Sequence, residues 1–352
     1  MPLQTTTIGA YPKPDCVPVP DWFTGDKDGL DTGHPTKRYL AALAAMGDEA
    51  GQRFSQGMKE AIDDQIACGI DVPTDGEIKR ENYVHYHCRN LTGFDFENLT
   101  EKEVRGGTYS AWLPTITSEI KPKRVGFLVE DWKIAQSFTS QPVKITLPGP
   151  LTVANTNVDA FYDDGPELGA ALADALNAEV RALADAGCKW IQVDEPVLVR
   201  LPEKALGYAI DQLNRVFHGV SDDVHKCMHM CCGYPDKIDR EDYPKAELDC
   251  YFQVADAVDA TVIDAVSLED AHRHNDLTLL DHFANTKIIF GAVTIAKSYV
   301  ETVDEIRARL EAALGHIDHD RLIAAPDCGL GILGRDLAMQ KLKNLSAAAR
   351  SL

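Results

Sequence analysis

Eight short runs of apolar residues, each seven to ten residues long, punctuate the chain: "LQTTTIGAY" (3–11), "GIDVPTDGE" (69–77), "VKITLPG" (143–149), "KWIQVDEP" (189–196), "VHKCMHMC" (224–231), "ATVIDAVSLE" (260–269), "KIIFGAVTI" (287–295) and "RLIAAPDCG" (321–329). They are rich in β-branched residues, and most lack strict apolar–polar alternation. Strands covered on both faces of a parallel sheet read this way, because neither face meets water. Several intervals carry helical patterns instead. The stretch "GPELGAALADALNAEVRALADAGC" (165–188) is rich in Ala and Leu and predicts a helix with Gly187 at its C-terminal end. In "SYVETVDEIRARLEAALGHI" (298–317) acidic residues come early and Arg307 and Arg309 later, as a helix dipole favours.

Strands alternating with helices eight times over predict a (β/α)8 TIM barrel. Residues 78–142 are too long for a simple connection between two barrel strands. Their aromatic residues, glycines and "EIKPKRVGFLVEDW" predict an inserted hairpin or lid over the barrel mouth. No repeat or long polar linker divides the rest, so residues 1–352 are expected to form a single barrel domain.

Composition narrows the function without naming it. The 352 residues are 45% hydrophobic and 26% charged, with a formal net charge of −20. Such acidity argues against nucleic acid and anionic membranes, whose phosphates need clustered Lys and Arg. No apolar run approaches the ~18 residues of a membrane span, and "MPLQTTTIGAYPKP" lacks the features of a signal peptide. Nine irregularly spaced cysteines do not resemble a disulfide framework. The expectation is a soluble cytoplasmic protein whose thiols are core residues, metal ligands or catalytic groups.

The chemistry gathers at the C-terminal ends of the predicted strands, where barrels build active sites. Glu77 ends the second, Asp194 and Glu195 the fourth, His229 and Cys231 the fifth, Glu269 the sixth and Cys328 the eighth. In a strand, residues i and i+2 share a face, so His229 and Cys231 point one way while Met230 and Cys232 point the other. An imidazole and a thiolate, joined by further Cys or carboxylate donors, suit zinc. Taken singly, these cysteines also suit buried packing. Cys328, in the Gly-rich turn "APDCGLG", is poorly placed for core filler, and it favours the metal.

The motifs "TTIGAYP", "DGEIKREN", "LPGPLT", "VDEP", "HMCC", "SLE" and "PDCGLG" occur in the order found in the catalytic half of cobalamin-independent methionine synthase. The chain resembles that family from residue 5 to its C-terminal helix. The resemblance implies a barrel whose Zn2+ activates a substrate thiol, with His229, Cys231, Glu269 and Cys328 as ligands. It leaves Cys227, Cys232 and Cys250 as structural. It further implies that Glu77 and Asp194 grip the ammonium of L-homocysteine and that the backbone of Ile8, Gly9 and Ala10 lies beside its carboxylate. Ala10 stands where a serine is common in the family.

The donor side departs from the family pattern. Ala296 and Lys297 occupy the place of a general-acid histidine, "VANTN" replaces a stretch bearing a tryptophan, and "GTYSAWLPTITSEIK" offers no match to an Arg–Cys pair. The family's additional N-terminal half has no counterpart in the sequence. The resemblance implies a methyltransferase forming methionine from homocysteine, with folate or a corrinoid as the methyl donor. These departures point to a donor other than methyltetrahydrofolate, such as methylcobalamin or a corrinoid protein. Two alternatives stay open. In one, the chain is an epoxide:thiol transferase similar to the epoxyalkane:coenzyme M transferases, although a sulfonate would be repelled by Glu77 and Asp194. In the other it is a non-catalytic zinc-binding barrel.

Overall fold

The structure, a computed structural model, describes residues 2–19, 35–104, 109–233, 237–241 and 243–352. The strands are β1 (Gln4–Thr5), β2 (Phe94–Val104), β3 (Tyr109–Ile116), β4 (Lys144–Pro148), β5 (Val158–Asp159), β6 (Trp190–Asp194), β7 (His225–Met230), β8 (Ala265–Leu268), β9 (Lys287–Val293) and β10 (Leu322–Pro326). Seven of them form one parallel sheet in the order β1-β10-β9-β8-β7-β6-β4. Residues 72–74 close the circle. They bridge β1 at Thr6–Val72 and β4 at Thr74–Lys144. The Val72 N–H donates to the Thr5 carbonyl at 3.0 Å, and the Lys144 N–H to the Pro73 carbonyl at 2.9 Å. The expected (β/α)8 barrel is therefore present: seven of the apolar runs supply a strand of its wall, and the run 69–77 supplies the two bridges that close it.

Every residue of β4, β6, β8 and β10 is buried, which is why these segments do not alternate. Parallel register then fixes which side chains meet at the mouth. One row runs Pro148, Asp194, His229 and Ser267 across β4, β6, β7 and β8.

The helices start and stop where local chemistry directs. Asp164 caps the helix Gly165–Asp185 by accepting from the Glu167 N–H at 3.0 Å. Past its end Gly187 adopts φ +101°, and the Cys188 N–H reaches back to the Leu183 carbonyl at 3.0 Å. That left-handed turn disfavours any residue with a Cβ. The later helix is shorter than 298–317, spanning Val303–Ala313, because Thr302 and Glu305 form a capping box. Arg309 does not serve the dipole alone. It forms a bidentate pair with Asp270 at 2.7 and 2.8 Å, tying this helix to the loop after β8.

The insertion at 78–142 contains the expected hairpin. Strands β2 and β3 pair antiparallel, and β3 continues into a parallel pair with β5. A short helix, Tyr83–Cys88, precedes the hairpin, and the helix Phe127–Gln136 follows it and returns the chain to β4. Val84, Cys88, Ile116 and Ile120 bury a small apolar cluster against Val153, Leu168 and Leu172, which seats the hairpin over the barrel rim. Residues 105–108, between β2 and β3 in the chain, and 234–236, after the Cys pair, lie outside the described residues.

Candidate metal and thiol site

A cavity of about 520 Å³ opens at the C-terminal ends of the strands, between the barrel and the hairpin. Ile8, Gly9, Ala10, Glu77, Asp194, His229, Cys231 and Cys328 all line it. Eight of the nine residues assigned to zinc or homocysteine thus face one space; Glu269 does not line it, nor does Glu195.

At the cavity floor the His229, Cys231 and Cys328 donor atoms lie within 4.8 Å of one another. His229 Nε2 is 3.2 Å from Cys328 Sγ, and its Nδ1 is 2.9 Å from Ser267 Oγ on the neighbouring strand. Ser267 thereby orients the ring and leaves Nε2 to the thiols, the arrangement usual around metal-ligating histidines. The Cys328 thiol hydrogen-bonds to Cys231 and, with His229 beside it, holds Cys231 well below the ordinary thiol range. Two thiols and an imidazole gathered at the cavity floor, with one thiol held acidic, fit zinc. Tetrahedral bonds of about 2.0–2.3 Å bring ligand atoms to mutual distances of roughly 3.3–3.8 Å.

Glu269 is placed differently. Its carboxylate is paired with Lys245 and accepts from the Cys232 N–H at 3.1 Å. It groups with His272 and Asp327, not with the sulfur atoms. Cys232 lies 3.7 Å from Cys250, sulfur to sulfur, on the side of the strand away from the cavity. Cys227 is buried inside the barrel with Ile8, Trp190 and Ile289.

The two carboxylates stand above the floor. Glu77 adopts φ +54°, a left-handed backbone that costs a non-glycine residue about 1 kcal/mol or more. Its Oε1 accepts from Thr146 Oγ1 at 2.6 Å and from Arg80 at 3.5 Å. Burial raises its pKa, and Arg80 opposes that rise. A Cβ at Gly9 would sit 2.8 Å from the same oxygen, so a larger residue there would displace the Glu77 carboxylate. Asp194 is pushed up to about 7, chiefly by burial. Gln192 Nε2 donates both to Asp194 Oδ1 at 2.7 Å and to the Ile8 carbonyl at 2.8 Å, locking these parts of the site together.

Glu195, its neighbour in "VDEP", has another task. It accepts from the Leu151 and Thr152 N–H groups at 2.9 Å and from Thr152 Oγ1 at 2.7 Å, pinning the start of the helix Pro150–Asn155. Sequence reasoning missed Thr146, Gln192, Tyr83, His85, Arg200 and Lys245, of which the last four line the cavity. Gln192 was accessible, because it lies two residues before Asp194 on one strand and shares its face. The others needed the hairpin and loops to be folded over the mouth.

The replaced donor-side segments also line the cavity. "VANTN" contributes Asn155 and Thr156, and β3 contributes Ala111 and Leu113. Ala296 does not line it; its N–H meets His272 Nε2 at 3.3 Å.

Residues 31–351 match the family model described as "Cobalamin-independent synthase, Catalytic domain". Methionine synthase from Pyrococcus furiosus is 27% identical over 353 residues, covering 99% of this chain and 92% of the relative. Methionine synthase from Sulfolobus acidocaldarius is 28% identical over 346 residues, covering 97% and 90%. The solved B12-independent methionine synthase from Shewanella sp. W3-18-1, in complex with selenomethionine, is 28% identical. It superposes with a TM-score of 0.85 over 99% of this chain and 97% of its own. A match over nearly the whole barrel, together with the same order of motifs around one cavity, places this chain in the cobalamin-independent methionine synthase family.

Proposed function

We propose that residues 1–352 act as one zinc-dependent barrel domain that transfers a methyl group to the thiol of L-homocysteine, forming methionine. The observation that carries this reading is a thiol–imidazole trio and two buried carboxylates facing one cavity. Membership of the methionine synthase family supports it, as does selenomethionine, an analogue of the product, in the Shewanella relative.

His229, Cys231 and Cys328 would hold the zinc. Glu269 is the proposed fourth ligand and must first exchange its pairing with Lys245. Zinc, when bound, lowers the pKa of a substrate thiol so that its thiolate is available as a nucleophile near neutral pH. The remaining work belongs to the chain. Glu77 and Asp194 accept charge-assisted hydrogen bonds from the substrate ammonium, while Thr146, Arg80 and Gln192 hold those carboxylates in place. The Ile8–Ala10 backbone lies beside the substrate carboxylate. The hairpin and the helix Pro150–Asn155 roof the space above the sulfur, where the donor delivers its methyl group. Folate and a corrinoid are the donor classes proposed.

A second reading has one observation in its favour. Lys13, Arg200 and Lys245 line the cavity and would suit a sulfonate, as in an epoxide:coenzyme M transfer. A matrix of thiols (homocysteine, coenzyme M) against donors (methyltetrahydrofolate, methylcobalamin, a small epoxide) separates the readings. Methionine formation from homocysteine is expected. Turnover confined to coenzyme M and the epoxide would replace the amino-acid reading, and no turnover by zinc-loaded protein would support the non-catalytic barrel.

A further inference from the structure

Two histidines of the short helix Tyr83–Cys88 differ in a way the sulfur chemistry does not use. His87 has both ring nitrogens buried without partners and packs edge-on against Phe127, away from the cavity. It is core. His85 is only 4% exposed, yet it lines the cavity. Its Nδ1 is buried without a partner, so Nε2 is the ring nitrogen left for a ligand in the cavity.

Three features define what this ring offers. Burial, reinforced by the positive Arg89 just past the end of the helix, lowers its pKa to about 3, so the ring is neutral at physiological pH. A buried N–H without an acceptor is the rarer defect in proteins, which assigns the proton to Nε2 and leaves the buried Nδ1 as a bare lone pair. Phe96 of the hairpin packs edge-on against the ring, 5.9 Å between centroids, and holds its orientation. The same cavity lining includes the apolar Ala111 and Leu113 from β3 and the neutral Asn155 and Thr156 at the end of the helix Pro150–Asn155. A cavity of about 520 Å³ also exceeds what an amino acid as small as homocysteine fills.

We propose that His85 marks a second subsite of the cavity, where its Nε2–H donates a hydrogen bond to an acceptor atom of the methyl donor. The subsite takes a neutral acceptor, such as an amide carbonyl or a ring nitrogen, flanked by apolar surface. His85 acts as a positioning residue: it orients the donor above the sulfur and touches no reacting atom. This inference rests on the homocysteine reading of the sulfur site, because it measures the subsite outward from a bound thioether.

The test needs no knowledge of the natural donor. S-carbamoylmethyl- and S-(2-carbamoylethyl)-L-homocysteine carry an amide carbonyl from the sulfur into the subsite at two lengths. S-isobutyl- and S-isopentyl-L-homocysteine are their apolar counterparts. Affinities of zinc-loaded wild type, His85→Phe and His85→Gln are measured by calorimetry, with methionine as the control that ends at the methyl group. Methionine should bind all three proteins alike, which also shows that the variants are folded. For at least one chain length, the preference for amide over apolar probe should fall roughly three- to tenfold in His85→Phe, the worth of a neutral hydrogen bond. His85→Gln, whose amide nitrogen replaces Nε2–H, should keep most of it. An equal preference in wild type and His85→Phe at both lengths would overturn the subsite. Failure of methionine to bind the wild type would overturn the sulfur-site reading and the subsite with it.

Discussion

His229, Cys231 and Cys328 form one knot of potential ligands at the barrel mouth, and Glu269, His272 and Asp327 form a second. By residue type either could hold a metal. The second is saturated by protein. Asp327 accepts from the N–H groups of Asp270, Ala271 and His272 and from His272 Nδ1, all at 2.7–2.9 Å. His272 Nε2 accepts from the Ala296 N–H, and Glu269 is paired with Lys245. A cation there would have to break a finished network. In the first knot the thiols face the cavity and meet each other, one imidazole and the Gly329 N–H, weak partners that leave their metal-binding capacity available. Proximity of donor types does not make a metal site; lone pairs that the fold leaves uncommitted do.

The largest expected effect tests that contrast directly. Wild-type protein should carry about one zinc per chain. Cys231→Ser or Cys328→Ser should lose nearly all of it by elemental analysis, while Cys232→Ser keeps it. Retention of zinc in both ligand variants would move the metal elsewhere. In the saturated knot the cost should appear as stability instead. His272→Ala strips Asp327 of a partner and leaves the Ala296 N–H unpaired, so denaturant unfolding should show a loss of about 2–4 kcal/mol. Zinc per folded chain should stay constant, and its disappearance would erase the distinction between the two knots.

Next come the carboxylates above the open knot. Each charge-assisted hydrogen bond to the substrate ammonium is worth about 1.5–3 kcal/mol, so Glu77→Gln or Asp194→Asn should weaken homocysteine roughly 10- to 150-fold. The loss should be much smaller for 3-mercaptopropionate, which lacks the amino group. Equal losses on the two thiols would mean that these residues support the fold and not the ammonium.

Lys144 gives the smallest effect and shows what an uncommitted polar group costs where no ligand arrives. It is fully buried inside the barrel beside Cys227, its Nζ has no hydrogen-bond partner, and burial lowers its pKa from 10.5 to about 8. The unfolded chain therefore binds more protons than the folded one between about pH 8 and 10.5, and Lys144's contribution to stability becomes less unfavourable as pH rises through that window. Lys144→Met should stabilise the protein by about 1–3 kcal/mol at pH 7, with the gain fading towards pH 10.5. Denaturant unfolding of both proteins at pH 7 and 10 measures it. A gain independent of pH would mean packing rather than charge.

Much of this architecture was legible in the chain. All eight wall segments could be read because burial on both faces leaves an uninterrupted apolar signature, whatever the neighbours are. His229 and Cys231 could be paired because the alternation of a strand is local geometry. The caps at Asp164, Thr302 and Gly187 are equally local, although only Gly187 was read from the sequence. Glu269 marks where this reasoning runs out. Its position at a strand end was correct, but its partner Lys245 lies on a loop whose path over the mouth no periodicity encodes.

By itself, then, the sequence determined the barrel, the end of the barrel that carries chemistry and the residue types gathered there. Those properties follow from hydrophobic periodicity and strand alternation, which act over a few residues. Only the tertiary structure decided which donors remain uncommitted and which are consumed. That outcome depends on hydrogen bonds between residues far apart in the chain, such as Asp327 with His272 and Gln192 with Ile8. It also decided that His85 faces the cavity beside Phe96 of the hairpin while His87 joins the core against Phe127 of the following helix, contacts that no local pattern encodes.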